Sequence, residues 1–305
     1  MKGGWLRMVG NRTAMTAKGA ANPTFFAGER WLVGMGLLGF ALAVFCGIWT
    51  LVNGAEVGAE GNMMNAFSFN AALGMFIIST AAVLPLAGMG ARARAFFRWS
   101  YIVLTLYSYA AETVQNARGF NPRFTQSTND FDVMAGNLFG LVAMLLVLFY
   151  AVFATYFFRR RTYERHPELT LALRYTMMAV MISFGAGIWI SLNLGRHVGA
   201  EGNIIWLHGL GFHALQALPI LAWLTLRAPW PARTRRSVVH AAGLSYAIGL
   251  LLMGGQTMLG HPIMEWSAMS VAAGLCFLFG LGLGASAAAA ALGNKGGAAR
   301  VHRGA

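Results

Sequence analysis

Charge is what this chain has least of. Only 11% of its 305 residues are Asp, Glu, Lys or Arg, while 57% are hydrophobic. Ordinary soluble domains carry about 25% charged residues. That deficit excludes a protein solvated by water alone and requires lipid as part of its solvent. Acids are the scarcest of all, 10 against 23 basic residues. A formal net charge of +13 would suggest a nucleic-acid partner in a soluble protein. Here the placement of the charges accounts for it, so no nucleic acid is expected. Two cysteines, Cys46 and Cys276, both lie in apolar runs and read as small core residues, not as a disulfide framework or a metal cluster. There is no Walker motif, dinucleotide fingerprint, Cys-x-x-Cys or zinc-protease helix motif. ATP-driven transport by this chain alone is therefore not expected. No apolar core precedes Trp31, so no cleavable signal peptide is expected either.

What is there instead is hydrophobic length. Eight segments approach the ~20 residues that a bilayer core requires. They cover about residues 31–53, 65–89, 97–117, 133–158, 173–194, 204–226, 238–259 and 266–292. With both termini placed in the cytoplasm, every basic residue except Arg118, Arg123 and Arg196 falls on the inner side. The positive-inside rule is satisfied almost without exception. Glu56, Glu60, Asp130, Asp132, Glu201 and Glu265 fall outside, and only Glu29, Glu164 and Glu168 inside. The expectation is an all-α integral protein of the bacterial inner membrane in contact with the lipid bilayer. It divides into a basic cytoplasmic tail (1–30), a four-helix unit (31–158), a basic linker (159–172), a second four-helix unit (173–292) and a cytoplasmic tail (293–305).

The two units look like copies. Val57 to Asn62 reads Val-Gly-Ala-Glu-Gly-Asn, and Val198 to Asn203 is identical, 141 residues later. Gln115-x-x-x-Gly119 recurs at the same offset as Gln256-x-x-x-Gly260. Gly47-Ile48-Trp49 recurs one residue out of step as Gly187-Ile188-Trp189. Four helices return the chain to its starting side, so the copies form a tandem 4+4 parallel repeat. Within the motif, glycine permits turns that a side chain resists, and Asn suits the cap of the following helix. Glu60 and Glu201 make an outer-face pseudo-symmetric pair. Gln115 and Gln256 make a pair of helix-end hydrogen-bonders.

The copies differ in their polar groups. Segment six carries His208, His213 and Gln216, where the first copy has Phe67, Ala72 and Met75. At about 100° per residue, His208 and His213 are about 140° apart, with Gln216 between them. All three fit one broad inward sector. A rise of about 1.5 Å per residue puts His208 roughly 7 Å and His213 roughly 15 Å below the outer end. Pro219 removes one helical hydrogen bond near this depth. Glu112, on one face with Gln115 and Asn116, is the other intramembrane ionisable group. His208, His213, Gln216 and Glu112 are the candidate ligand or proton pathway. The two histidines are also the candidate ligands of a metal or haem, although an i,i+5 pair suits one metal less well than i,i+4.

The string His-x4-His-x-Leu-Gln-x-Leu-Pro, here His208 to Pro219, resembles one found in uncharacterised bacterial polytopic membrane proteins, and implies a label but no mechanism. The four-plus-four plan is also similar to that of haem A synthase, whose histidines lie in both halves. Intramembrane His here is confined to segment six, so a bis-histidine haem in each half is not expected. The leading expectation is binding or transport of a small molecule or ion. The alternatives are a membrane redox, metal or haem protein, and a non-catalytic subunit or assembly factor.

Overall fold

The computed structural model describes the backbone of residues 23–301 and the side chains of residues 23–293. The basic residues Lys2, Arg7, Arg12, Lys18 and Arg303 of the expected tails lie outside the described residues. The first unit consists of α1 (Arg30–Asn53), the strands β1 (Glu56–Val57) and β2 (Gly61–Asn62), α2 (Met63–Val83), α3 (Ala91–Ala117) and α4 (Asp130–Thr155). A short helix, α5 (Arg160–Arg165), leads into the second unit. That unit runs α6 (Pro167–Leu192), β3 (His197–Val198), β4 (Gly202–Asn203), α7 (Ile205–Arg227), α8 (Ala232–Met258) and α9 (Ala268–Val301). Thus α6 begins inside the stretch expected to be linker, with Pro167 at its first turn, where a missing N–H costs nothing. The last helix, α9, runs past residue 292 into the expected tail.

Seven of the described helices are long and apolar enough to cross a membrane, and this is a multi-pass membrane protein. The exception among the long helices is α3, with 27 residues. Its composition is polar because its inside is polar. Phe96, Trp99, Val103, Leu106 and Val114 are exposed, whereas Tyr101, Thr105, Ser108, Tyr109, Glu112, Gln115 and Asn116 are buried. This is the reverse of a helix on a water-soluble core, where the apolar stripe faces inward.

Within the units α1 packs on α2 and α6 on α7, and α3 and α8 close each group from the side. The units meet where α2 touches α7 and α4 touches α6. Phe76, Tyr150, Phe184 and Phe212 fill that junction, with ring centroids 4.8 to 6.2 Å apart.

The repeated hexapeptide makes the same object twice. In each unit it forms a two-strand hairpin, pairing Glu56 with Asn62 and His197 with Asn203. The backbone N–H of Met63 donates to Ala55 O, and that of Ile204 to Arg196 O, both at 2.8 Å. Asn62 Oδ1 accepts from Met64 and Asn65 N–H at the start of α2, and Asn203 Oδ1 from Ile205 N–H, as a helix cap should. Each hairpin then docks on a glycine just beyond the third helix of its unit. Glu60 N–H donates to Gly119 O at 3.2 Å, and Glu201 N–H to Gly260 O at 3.0 Å. A Cβ on Gly61 would lie 2.7 Å from Gly119 Cα, and one on Gly202 3.0 Å from Gly260 Cα. Backbone touches backbone here, which only glycine allows. The stretch from Trp189 to Val198 is one residue longer than that from Trp49 to Val57, and it contains Leu194, a non-glycine residue with φ of 50°.

Candidate functional site

The sequence-derived residues fall into three places. Among the described residues, no hydrogen bond or ion pair joins Glu112 to His208, His213 or Gln216.

His208 is half-buried on the α6 side of α7. Its Nδ1 lies 2.7 Å from the backbone oxygen of Ser183. A carbonyl only accepts, so Nδ1 carries the proton. The Ser183 hydroxyl returns a bond to His208 O, and the imidazole stands edge-on to Phe212 at 4.8 Å. Gly187 makes room, since a Cβ there would lie 2.8 Å from the ring.

His213 is exposed and looks out at the junction between the units. Its Nδ1 is 3.2 Å from Gln216 Oε1, and Gln216 Nε2 donates to Ser79 Oγ of α2 at 2.7 Å. The shared inward sector expected from helix geometry does not hold, because His213 is exposed. One ring turns to a packed helix, the other to a seam. They do not converge, and among the described residues no group of three His, Cys, Asp or Glu side chains is placed to hold a metal ion.

Glu112 lies deep in the first unit, with 1% of its side chain exposed. Arg123, in the loop between α3 and α4, donates to both carboxylate oxygens, at 2.5 and 3.2 Å. Its guanidinium is covered by Phe69 and Phe139. Asn116 Nδ2 donates to Glu112 O, and its Oδ1 takes the N–H of Asn62. A second ion pair, Arg118 to Asp132 at 2.7 Å, lies alongside. Gln115 joins this pair by donating to Asp132 at 3.0 Å. Gln256 has the corresponding task in the second unit, accepting from Ser267 at 2.7 Å just ahead of α9.

Glu60 and Glu201 diverge despite identical surroundings in the chain. The Glu60 carboxylate accepts from the backbone N–H groups of Asn121 and Gln126 at 3.2 and 2.8 Å. Burial pushes this carboxyl up, but those two donors and the Thr125 hydroxyl outweigh it and hold it below its ordinary range. Glu201 lies instead in an open depression with His261, Met264 and Glu265.

Sequence reasoning missed the most unusual feature. Below Glu112, the buried face of α3 continues through Tyr109 and Thr105. The Tyr109 hydroxyl, the Thr105 hydroxyl and Oδ1 of Asn70 on α2 are all buried without a hydrogen-bond partner among the described residues. Asn70 Nδ2 is anchored on Thr113 Oγ1 at 3.0 Å. Thr105, Tyr109, Glu112 and Asn116 are spaced i, i+4, i+7, i+11, one helical face, and that spacing was the legible clue. Buried polar groups are almost always paired, and three of the five unpaired buried side-chain atoms among the described residues lie around this one stripe. At the N-terminal end of α3, Arg98 and Arg94 hold Glu29, which precedes α1 and is 0% exposed; Arg98 gives it two bonds at 2.7 and 2.9 Å. The second unit has a looser counterpart, with Arg235 at 3.3 Å and Arg236 at 3.7 Å from Glu168.

No known protein family, curated protein or solved structure matches this chain.

Proposed function

We propose that this chain is an eight-span protein of the bacterial inner membrane that passes protons along α3 of its first unit. In this reading α3 is the eighth span, the two units are tandem copies pointing the same way, and both termini are cytoplasmic. Three features support the architecture. The exposed face of α3 is apolar, as lipid demands. α8, which begins and ends 141 residues after α3, is itself among the apolar spans. The hairpins, caps and glycine contacts recur in register. The kinship with bacterial polytopic proteins belongs to the same proposal and rests on the His208 to Pro219 string.

One observation carries the transport reading: the buried polar stripe of α3, with three unpartnered atoms around it. Polar groups at membrane depth are costly and mark substrate or ion paths. A divalent cation would need a shell of about six or more oxygens, and the one carboxylate of the α3 stripe is already paired with Arg123. Hydroxyl and carboxyl groups each both give and accept a proton. That chemistry suits a proton relay running between the Glu112–Arg123 pair outside and the Glu29–Arg98 pair inside.

The test is proton flux into vesicles holding a pH-sensitive dye, with an imposed pH difference and the membrane potential clamped. The intact protein is expected to exceed empty vesicles. Glu112→Gln and Tyr109→Phe are expected to bring the rate down to background. Tyr109→Phe removes a hydroxyl on which no bond depends, so its loss of flux would not reflect a damaged scaffold. Flux equal to empty vesicles in the intact protein, or intact flux in both variants, would refute the reading.

A further inference from the structure

We propose that the seam between the two units is a second binding site, for a hydroxyl-bearing amphiphile dissolved in the bilayer, with Nε2 of His213 as the acceptor of its hydroxyl proton.

The argument is a count of protons along one chain of bonds. Ser79 has a single hydroxyl proton, and it is donated to Met75 O at 2.8 Å. Ser79 Oγ can therefore only accept from its other neighbour, and Gln216 Nε2 donates to it at 2.7 Å. That sets the amide, leaving Gln216 Oε1 to face His213 Nδ1 at 3.2 Å. An amide oxygen only accepts, so the neutral imidazole carries its proton on Nδ1. Nε2 is then a bare lone pair. The second shell determines which ring nitrogen is available, and here it presents an acceptor.

The ring is exposed about 12 Å along α7 from Ile205, taking 1.5 Å per residue, and this is hydrocarbon depth. Water cannot satisfy the lone pair there, and an unsatisfied polar group in an apolar medium costs free energy. His213, Ala217 and Ile220 lie on one face of α7, and Ala72, Met75 and Ser79 on one face of α2. All but Ser79 are exposed. The Gln216–Ser79 bond brings these two faces side by side. Two of the exposed residues, Ala72 and Ala217, are small. A donor arriving from the lipid meets apolar walls and one acceptor. A second copy of the chain is a poor occupant, because twofold pairing through this seam sets two acceptors against each other.

The full-length protein in lipid nanodiscs would be titrated with three probes of equal length, a short-chain alkyl hydroquinone, the corresponding quinone and the hydroquinone dimethyl ether. The hydroquinone is expected to bind more tightly than either of the others by up to about tenfold, the factor that one hydrogen bond supplies. His213→Phe should reduce hydroquinone binding to the level of the ether. Gln216→Leu, which frees the ring to rotate, should weaken it by a smaller factor. Equal binding of all three probes, unchanged in His213→Phe, would mean simple partitioning and overturn the proposal. Preference for the quinone would overturn it by reversing the polarity. A dimer broken by His213→Phe and insensitive to every probe would assign the seam to a second copy instead. The site shares no residue with the α3 stripe, so the two proposals stand or fall separately.

Discussion

The two units share a scaffold and differ in what it encloses. Beyond the helix ends, the hairpin registers and the Gly119 and Gly260 contacts match, while Asn62 caps two N–H groups and Asn203 one. Inside, Asn70, Tyr109, Glu112 and Thr113 of the first unit correspond to Gly211, Leu250, Met253 and Gly254 of the second. Arg118, which pairs with Asp132, corresponds to Leu259. One interior is polar and crosslinked by charge, the other apolar and packed. A membrane interior tolerates either solution as long as each buried charge has its partner. The latch has no such freedom, because a Cβ at Gly61 or Gly202 would strike backbone.

That contrast can be broken most sharply at Glu112. Glu112→Leu leaves Arg123 without its carboxylate, and a loss of about 3 kcal/mol is expected, toward the lower end because Arg123 keeps about a third of its side chain exposed. The double change Glu112→Met and Arg123→Met, which imitates the apolar interior of the second unit, should restore most of it. Met253→Glu in the second unit should be at least as damaging as Glu112→Leu, since no arginine reaches it. Thermal unfolding in one detergent would rank the three, and a harmless Met253→Glu would undo the comparison.

The inner clamps give the next effect. Glu29→Ala strands two arginines that hold it at short range, and should cost about 2–3 kcal/mol. Glu168→Ala, with its longer contacts, should cost about 1 kcal/mol or less. Equal costs in denaturation would mean that the geometric asymmetry has no energetic weight.

Tyr109→Phe should do the opposite and stabilise by about 1 kcal/mol, because it deletes a buried hydroxyl that has no partner. A destabilised Tyr109→Phe would reveal a hydrogen bond at that hydroxyl.

The smallest effect concerns acid. A carboxyl held below its ordinary value adds stability above the unfolded value of about 4.3, and that stability disappears as pH falls through the lower folded value. Protection of the Asn121 and Gln126 amides from hydrogen exchange should therefore drop below about pH 4. Glu60→Gln should remove that step, and protection unchanged across this range would refute it.

Much of this was legible from residues alone, and for physical reasons. Long apolar runs announce membrane spans, and seven of the eight expected segments are apolar helices long enough to cross. A latch that admits only glycine keeps its sequence, so the hexapeptide stood out. The helix-end glutamines were found because they sit beside that latch. The rest depended on what each helix faces. Glu29 and Glu168 looked like ordinary inner-surface acids until packing buried them. Asn70 with Thr113 and Ser79 with Gln216 are far apart in the chain, and no periodicity links them. His208 and His213 were expected on one inward sector of α7, but His213 is exposed, and their different surroundings come from α6 and the seam. The polar stripe of α3 was half seen, at Glu112 and Asn116, because tyrosine and threonine are unremarkable one at a time.

The latches have one more consequence. Both lie beyond the helix ends, among polar loop residues, while the contacts beneath them lie at the depth of lipid. The protein is thus held by two kinds of bond in two solvents. Urea acts on the water-exposed clasps, and a harsher detergent acts on the helices below. Each unit should lose its clasp in the first agent with its helices still associated, and should keep the clasp longest in the second, so that dismantling the protein from above and from within would follow different orders.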